Sequence, residues 1–327
     1  MAPRSHWEKG QTEPFSSTFG ALGVNYALAS LHEGRFSVGN KPDRLARIGR
    51  MVSQVSEDGR VAQTVAASIH GLLNFASWFT LGKALQTSAH GFSMLASGTA
   101  LDKRSIRALC EHTFIVLETL EPREVALPLQ SVPVVIYTDG AFEGTNATWG
   151  AIVIDPVSKT SLCFAGTVPE FLLAAWKNLV GEQLICQIEM YAVVCVRWKV
   201  RHLLHKRRLL LFIDNEPCRF SLIKGRSPSD PLFRMSHACA CMEASLPCFV
   251  WYERIASYCN PADLPSRARI DEACKRWGLT FGGDIALPAE LLTALVDGVP
   301  FPRLAKVNGD LECVIKPQGR KEDDTDV

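Results

Sequence analysis

The chain has no CxxC pair, no glycine-rich phosphate loop of the GxxxxGK[ST] type and no GxGxxG dinucleotide fingerprint. Nucleotide cradling by a P-loop, thioredoxin-like redox chemistry and paired-cysteine zinc sites are therefore all excluded as leading readings. Apolar runs are also too short: the most apolar region, 61–95, is broken by Gln63, His70, Asn74 and Lys83, so no segment reaches the eighteen or so residues of a membrane span. The first fifteen residues lack the apolar centre of a signal peptide. A net charge of only +1 leaves no whole-molecule field to gather polyanions, so any nucleic-acid affinity has to come from local patches. Eleven cysteines, an odd number scattered through apolar runs, read as buried thiols of a reduced intracellular protein, cytoplasmic or nuclear.

What is present is ordinary globular material, 47% apolar and 21% charged over 327 residues, enough for two domains. Residues 1–14 are polar and read as loose. From residue 15 to about 124 the pattern is mostly helical after a short hairpin turning at Glu33-Gly34. Leu45, Ile48, Val52 and Val55 recur at helical spacing, a second helix runs from Val61 to about Phe79, and Asp102 is placed to cap a third. From about 130 to 280 strands and helices alternate. The run Val134–Tyr137 enters Thr138-Asp139-Gly140, expected to end the strand in a sharp turn. A hairpin covers 149–166, a short helix 169–180, and a long helix Glu182 to about Leu204. A second apolar strand, Leu209–Ile213, enters Asp214-Asn215, and another runs from Cys248 to Ile255. Residues 281–302 form a C-terminal extension, and 303–327, ending KEDDTDV, read as a disordered tail.

Strands near 134, 209 and 249 joined by helical crossovers would be parallel and end on one side of a sheet. Asp139 and Asp214 then meet, and like charges at that separation repel unless a cation lies between them. Glu189 falls on the apolar stripe of the long helix with Ile188, Ala192, Val193 and Val196, an unexpected place for an acid without a cation or partner. A metal-dependent phosphoryl-transfer site follows from these residues.

TDGA, the glutamate of QIEMYAVV, the FIDN strand end and the NPADLPSR loop together resemble the four-carboxylate set of the ribonuclease H superfamily, in the variant carried by DIRS-like retrotransposon polyproteins. The resemblance covers about 130–270. It implies an α/β fold with a mixed five-stranded sheet and flanking helices, and Asp139, Glu189, Asp214 and Asp263 as catalytic ligands of two Mg²⁺ or Mn²⁺ ions. The implied activity is hydrolysis of the RNA strand of an RNA–DNA hybrid, with a decayed, nucleic-acid-binding remnant of the same fold as the alternative. Where the family often has a loop histidine, Tyr252–Cys259 reads YERIASYC. FGALGVNYALASLHEGRFSV and KPDRLARI resemble the palm end and thumb of a reverse transcriptase; no Tyr-x-Asp-Asp motif is present, so a polymerase portion is expected elsewhere in a longer polyprotein.

For contacts to the hybrid backbone the candidates are Arg197, Lys206, Arg207 and Arg208 at the end of the long helix, with Asn215 and Lys224. A solvated helix end is the competing reading of the basic run. His237-x-Cys239-x-Cys241 fits no common zinc spacing and reads as buried helix thiols.

Overall fold

The computed structural model describes residues 16–79, 83–120, 122–126, 132–246, 248–297, 303–307 and 310–314. The loose N-terminus expected over 1–14 lies outside them. The chain divides into two compact units, 1–131 and 132–327.

In the first unit β1 (Thr18–Ala21), β2 (Val24–Ala27), β3 (Arg35–Asn40) and β4 (Arg123–Ala126) form an antiparallel sheet in that order. The four residues of β4 carry too little pattern to announce a strand, and it exists because β3 offers it an edge. The helices are α1 (Pro42–Asp58), α2 (Gln63–Ser77), α3 (Ala84–Ala96) and α4 (Lys103–Thr119). Pro42 opens α1, where its missing N–H costs nothing, and Gly59 closes it at φ 62, a conformation disfavoured for any residue with a side chain. Asp102 caps α4 as expected, its carboxylate accepting from the Ser105 amide at 2.7 Å. Helix α3 was missed, because a Gly-broken apolar stretch hides its period.

The second unit is built on β5 (Val134–Glu143), β6 (Asn146–Asp155) and β7 (Thr160–Thr167), followed by α5 (Glu170–Val180), α6 (Ile185–Lys199) and the single turn α7 (Arg201–Leu204). Then come β8 (Arg208–Ile213), α8 (Glu216–Lys224), α9 (Asp230–Ser245), β9 (Phe249–Arg254), the single turn α10 (Asp263–Ser266), α11 (Ile270–Trp277), β10 (Thr280–Phe281), α12 (Ala289–Asp297), and β11 (Arg303–Val307) with β12 (Asp310–Val314). The expected α/β class with a mixed sheet and flanking helices is what forms. Five long strands and the two-residue β10 lie in the order β10-β7-β6-β5-β8-β9, with β5, β8 and β9 parallel and β5-β6-β7 antiparallel.

Three details differ from the sequence reading. Strand β5 does not turn at Asp139-Gly140 but continues to Glu143 and pairs with β6 throughout. The long helix is interrupted at Val200. And 303–307 pairs antiparallel with 310–314, β11 with β12, where a disordered tail was expected; the polar composition there hides a strand pair held by backbone hydrogen bonds. Residues 315–327 lie outside the described part.

Helix α6 explains the core. Every residue from Gln187 to Trp198 is buried, because one side of the helix lies on the sheet and α8 and α9 cover another. Arg197 is thus not a surface cation, contrary to the sequence expectation: it is 2% exposed. Its Nη1 donates to Glu243 Oε1 at 2.7 Å and to the Tyr252 hydroxyl at 2.9 Å, and that hydroxyl donates to the same carboxylate at 2.7 Å. The HACAC segment is interior as expected, with His237 and Cys239 buried and the Cys241 sulfur 3.3 Å from His237 Nε2. The cysteines whose side chains are described are free thiols.

Breaking one partner of a buried ion pair strands the other charge, which costs about 3–5 kcal/mol. Glu243→Ala should lower the urea unfolding free energy by about that amount, whereas replacing Arg197 and Glu243 together by Met and Leu should recover most of it. Equal losses in the two proteins would show that packing, not the charge pair, holds α6 to α9.

Candidate active site

The carboxylates are placed by strand register. Tyr137 of β5 is level with Phe212 of β8, and their rings stack at 4.8 Å. Continuing the parallel register by two residues sets Asp139 level with Asp214, on the same face of the sheet by the period of two. That face carries the smaller core of Ile152, Leu264 and Leu279 under α10 and α11, while Val134, Ile136, Leu209 and Leu211 point to the larger core under α6.

Two glycines let helices close on this point. A Cβ on Gly140 would lie 2.9 Å from both the Glu189 amide nitrogen and Cγ, so the bare backbone there admits α6 and with it Glu189. A Cβ on Gly150, the cross-strand partner of Asp139, would lie 2.3 Å from the Ser266 nitrogen, so Gly150 admits α10 from the other face. Backbone and side-chain bonds then tie α10 down. Asn260 Nδ2 donates to the Thr138 carbonyl at 3.0 Å, Thr148 Oγ1 donates to the Ser266 carbonyl at 2.6 Å, and Ser266 Oγ donates to Asp139 Oδ2 at 2.5 Å.

Asp139 and Glu189 are nearly buried, 6% and 7% exposed. Burial pushes the Asp139 carboxyl up to about 6, against the Ser266 hydrogen bond, with the charges of Asp214 and Asp263 adding to the rise. Burial pushes Glu189 further, to about 10, reinforced by Asp214 and Asp139. Asn215 Nδ2 donates to Glu189 Oε1 at 3.2 Å while its Oδ1 accepts from the Cys218 amide and caps α8. Asp263 is half-exposed; Arg267 Nε donates to it at 2.9 Å and Arg267 Nη1 to Glu143 at 2.7 Å.

The proton that Glu189 retains joins it to Asp214, and once that proton is lost Glu189 Oε2 and Asp214 Oδ1 are buried without a donor. Buried lone pairs left this way are costly, and a hard divalent cation satisfies them better than any neutral donor. Oxygen donors of this kind suit Mg²⁺ or Mn²⁺ by chemistry, but among the described residues no three His, Cys, Asp or Glu side chains stand together in an arrangement that could hold a metal ion.

The sequence candidates thus separate. Asp139, Glu189, Asp214 and Asp263 gather at one sheet end, with Asn215 among them as a positioning residue rather than a surface contact. Lys224 is exposed on α8, its Nζ 5.3 Å from the Phe220 ring centre. Lys206, Arg207 and Arg208 lie at the start of β8, about 20 Å along the strand from Asp214. Arg207 is not a free surface cation: it donates to the buried Asp155 at 2.8 Å and to the Val132 carbonyl, and it holds Asp155 down at about 2. Ser266, Arg267 and Gly150 were missed. Ser266 and Arg267 lie in the NPADLPSR loop already singled out, but only folding brings them to residues 118–127 positions distant.

No protein-family model matches the chain, and no curated protein is significantly similar to it. Among solved structures it is similar to an RNase H1 isolated from compost by a metagenomic approach: 18% identity, 43% of this chain, 97% of that one, TM-score 0.34. It is similar also to RNase H1 from the halophilic archaeon Halobacterium salinarum: 16% identity, 44% and 99%, TM-score 0.32. The N-terminal RNase H domain of a Mycobacterium tuberculosis protein is a third: 19% identity, 45% and 99%, TM-score 0.28.

A carboxyl whose folded pKa is raised keeps a proton that the unfolded chain has released, so the folded state loses stability as pH rises between the two values. Without divalent ions, Asp139 should take away about 3 kcal/mol from pH 4 to 6, and the fall should continue above pH 6 because of Glu189. Urea titrations of Asp139→Asn should show a shallower fall over pH 4–6, the remainder being that of Glu189, which acts from about pH 4.5 upward. A variant slope as steep as the parent's would place Asp139 in a polar, solvated setting instead.

Gly150→Ala offers a geometric check. Its Cβ meets backbone rather than a flexible side-chain end, so α10 has to move; a cost of about 1–3 kcal/mol is expected. Loss of the Ser266-to-Asp139 hydrogen bond should appear as a raised Asp139 protonation midpoint, because that bond favours the ionised carboxylate. An unchanged midpoint and stability would mean that α10 is not seated on Gly150.

Proposed function

We propose that this chain is a ribonuclease H-type nuclease that hydrolyses the RNA strand of RNA–DNA hybrids, acting as one portion of a retroelement reverse transcriptase polyprotein. The observation that carries the reading is the parallel pairing of β5 with β8, which sets Asp139 beside Asp214, with Glu189 arriving over Gly140 and Asp263 over Gly150. Four acids from four separate elements at one sheet end, two of which need a shared proton when no cation is present, are expensive for a purely structural purpose.

In this reading Asp139, Glu189, Asp214 and Asp263 hold two Mg²⁺ or Mn²⁺ ions. When bound, the ions would supply a nucleophile at neutral pH and charge stabilisation on the leaving 3′ oxygen. The chain's own groups prepare for this. Ser266 orients Asp139, Asn215 orients Glu189, and Arg267 holds Asp263. Glu189, protonated at pH 7 when no cation faces it, gives up its proton as a cation binds. Arg254, level with Ile213 and ion-paired to Glu216, is the proposed phosphate contact nearest the reaction; Lys224 at the far end of α8, and Lys206 and Arg208, would meet a longer duplex.

A labelled hybrid should be cut in its RNA strand with Mg²⁺ and left whole with chelator, and duplex DNA should be spared. Asp214→Asn should abolish cleavage while leaving hybrid binding intact. Mg²⁺ at a hundredfold excess over its dissociation constant should stabilise the parent protein by about 2.7 kcal/mol and the variant by clearly less. Binding without cleavage, together with no response to Mg²⁺, would make the chain a nucleic-acid-binding remnant of this fold.

A further inference from the structure

Two residues before Asp139, on the same face of β5, Tyr137 lies on the floor of an open cleft of about 830 Å³. The loop after β9 contributes Tyr258, Asn260 and Asp263 to its walls, and the end of α11 contributes Arg276 and Trp277. Asp263 belongs at once to the cleft and to the carboxylate group, so the two are continuous. By strand rise the cleft floor begins about 7 Å from Asp139.

The lining is unusual in what it leaves uncovered. Tyr258 is 92% exposed, Trp277 is 39% exposed, and the Arg276 guanidinium lies 5.2 Å from the Trp277 ring centre. Folding gains little from a tyrosine held in solvent, and its ring shields nothing in the smaller core. The size matches sites that take small organic molecules. Flat rings with open faces, a cation stacked on one of them and the half-exposed Asp263 carboxylate at the edge suit a planar heteroaromatic ligand with hydrogen-bonding edges.

We propose that this cleft receives one unpaired nucleobase of the strand being cut, stacked on Tyr258 and Trp277, while the adjoining phosphodiester lies at the carboxylates. The proposal rests on the nuclease reading above and deepens it. A base inside a paired duplex cannot enter a protein cleft without leaving its stack, a cost that vanishes where the nucleotide is already unpaired. The favoured substrate is then a hybrid with a frayed, mismatched or single-stranded RNA nucleotide beside the scissile bond, rather than a continuous duplex.

The test uses the full chain in EDTA at low salt and two fluorescent probes, a blunt 18-base-pair RNA–DNA hybrid and the same hybrid with a three-nucleotide RNA overhang. The overhang should bind about tenfold tighter, the scale of one base–aromatic stack. Tyr258→Ala should remove most of that advantage and Tyr258→Phe should keep it, because the ring face and not the hydroxyl is used; Trp277→Ala should act like Tyr258→Ala. Tyr258 is solvent-exposed, so its variants report on the cleft even if Trp277→Ala fails to fold. Equal binding of the two probes by the parent chain, or an advantage that survives Tyr258→Ala, overturns the proposal. Cleavage of the blunt hybrid in Mg²⁺ is scored separately. Cleavage without an overhang advantage sinks the cleft alone, while an overhang advantage without any cleavage sinks the nuclease reading and leaves a nucleobase site.

Discussion

The parallel ladder between β5 and β8 is the constraint on which the rest of the site depends. It is short, four residue pairs from Val134–Leu209 to Tyr137–Phe212, yet it decides which side chain of β5 stands beside which residue after β8. A slip of one residue would send Asp139 into the larger core, where Ile136 and Leu211 are packed, and expose those apolar side chains instead. The buried apolar face thus enforces the register, and the register delivers two carboxylates to the same place. Stability of the core and geometry of the site are two results of one pairing.

That placement creates an electrostatic problem that the surrounding elements reduce without abolishing. Burial raises the carboxyls of Asp139 and Glu189, and each is steadied by one neutral donor, Ser266 and Asn215. Arg267 hydrogen-bonds at the edge, to Asp263 and Glu143, and its charge is the weakest of the influences on Asp139. No cationic side chain hydrogen-bonds to Asp139 or Glu189 among the described residues. By contrast, the other buried acids of this unit are fully matched: Asp155 by Arg207, Ser158 and an amide, and Glu243 by Arg197 and Tyr252. The chain has arginines to spare for buried carboxylates, and it does not spend them at the sheet end. This asymmetry is the physical argument for an external cation.

The same contrast explains where the linear reading misled. Arg197, Arg207 and Arg208 form one basic run on paper, but each meets a different environment. Arg197 is on the inward side of a helix buried all round, Arg207 reaches across to the end of β6, and Arg208 begins a strand. Charge in sequence says that a side chain needs a partner; it does not say whether the partner is water, phosphate or a carboxylate of the same chain. Gly140 was likewise read as a turn former, when its role is to leave room for Glu189.

Some of this protein was legible from its residues alone. Alternating and helical periods marked the five long strands and the helices α5 and α6 of the second unit, because burying one face of a strand or helix demands that pattern wherever the chain folds. The four acids were also legible, since an ionisable residue at an apolar strand end or on an apolar helix stripe contradicts its surroundings. Short or edge elements such as β4, α3, β10 and the β11–β12 pair were not, because their stability comes from a neighbour rather than from their own pattern. Distances between acids, the donors that hold them, the burial of Arg197 and the aromatic cleft beside Asp263 came only with tertiary structure. Each joins residues that are remote in the chain, and long-range proximity leaves no mark on local sequence.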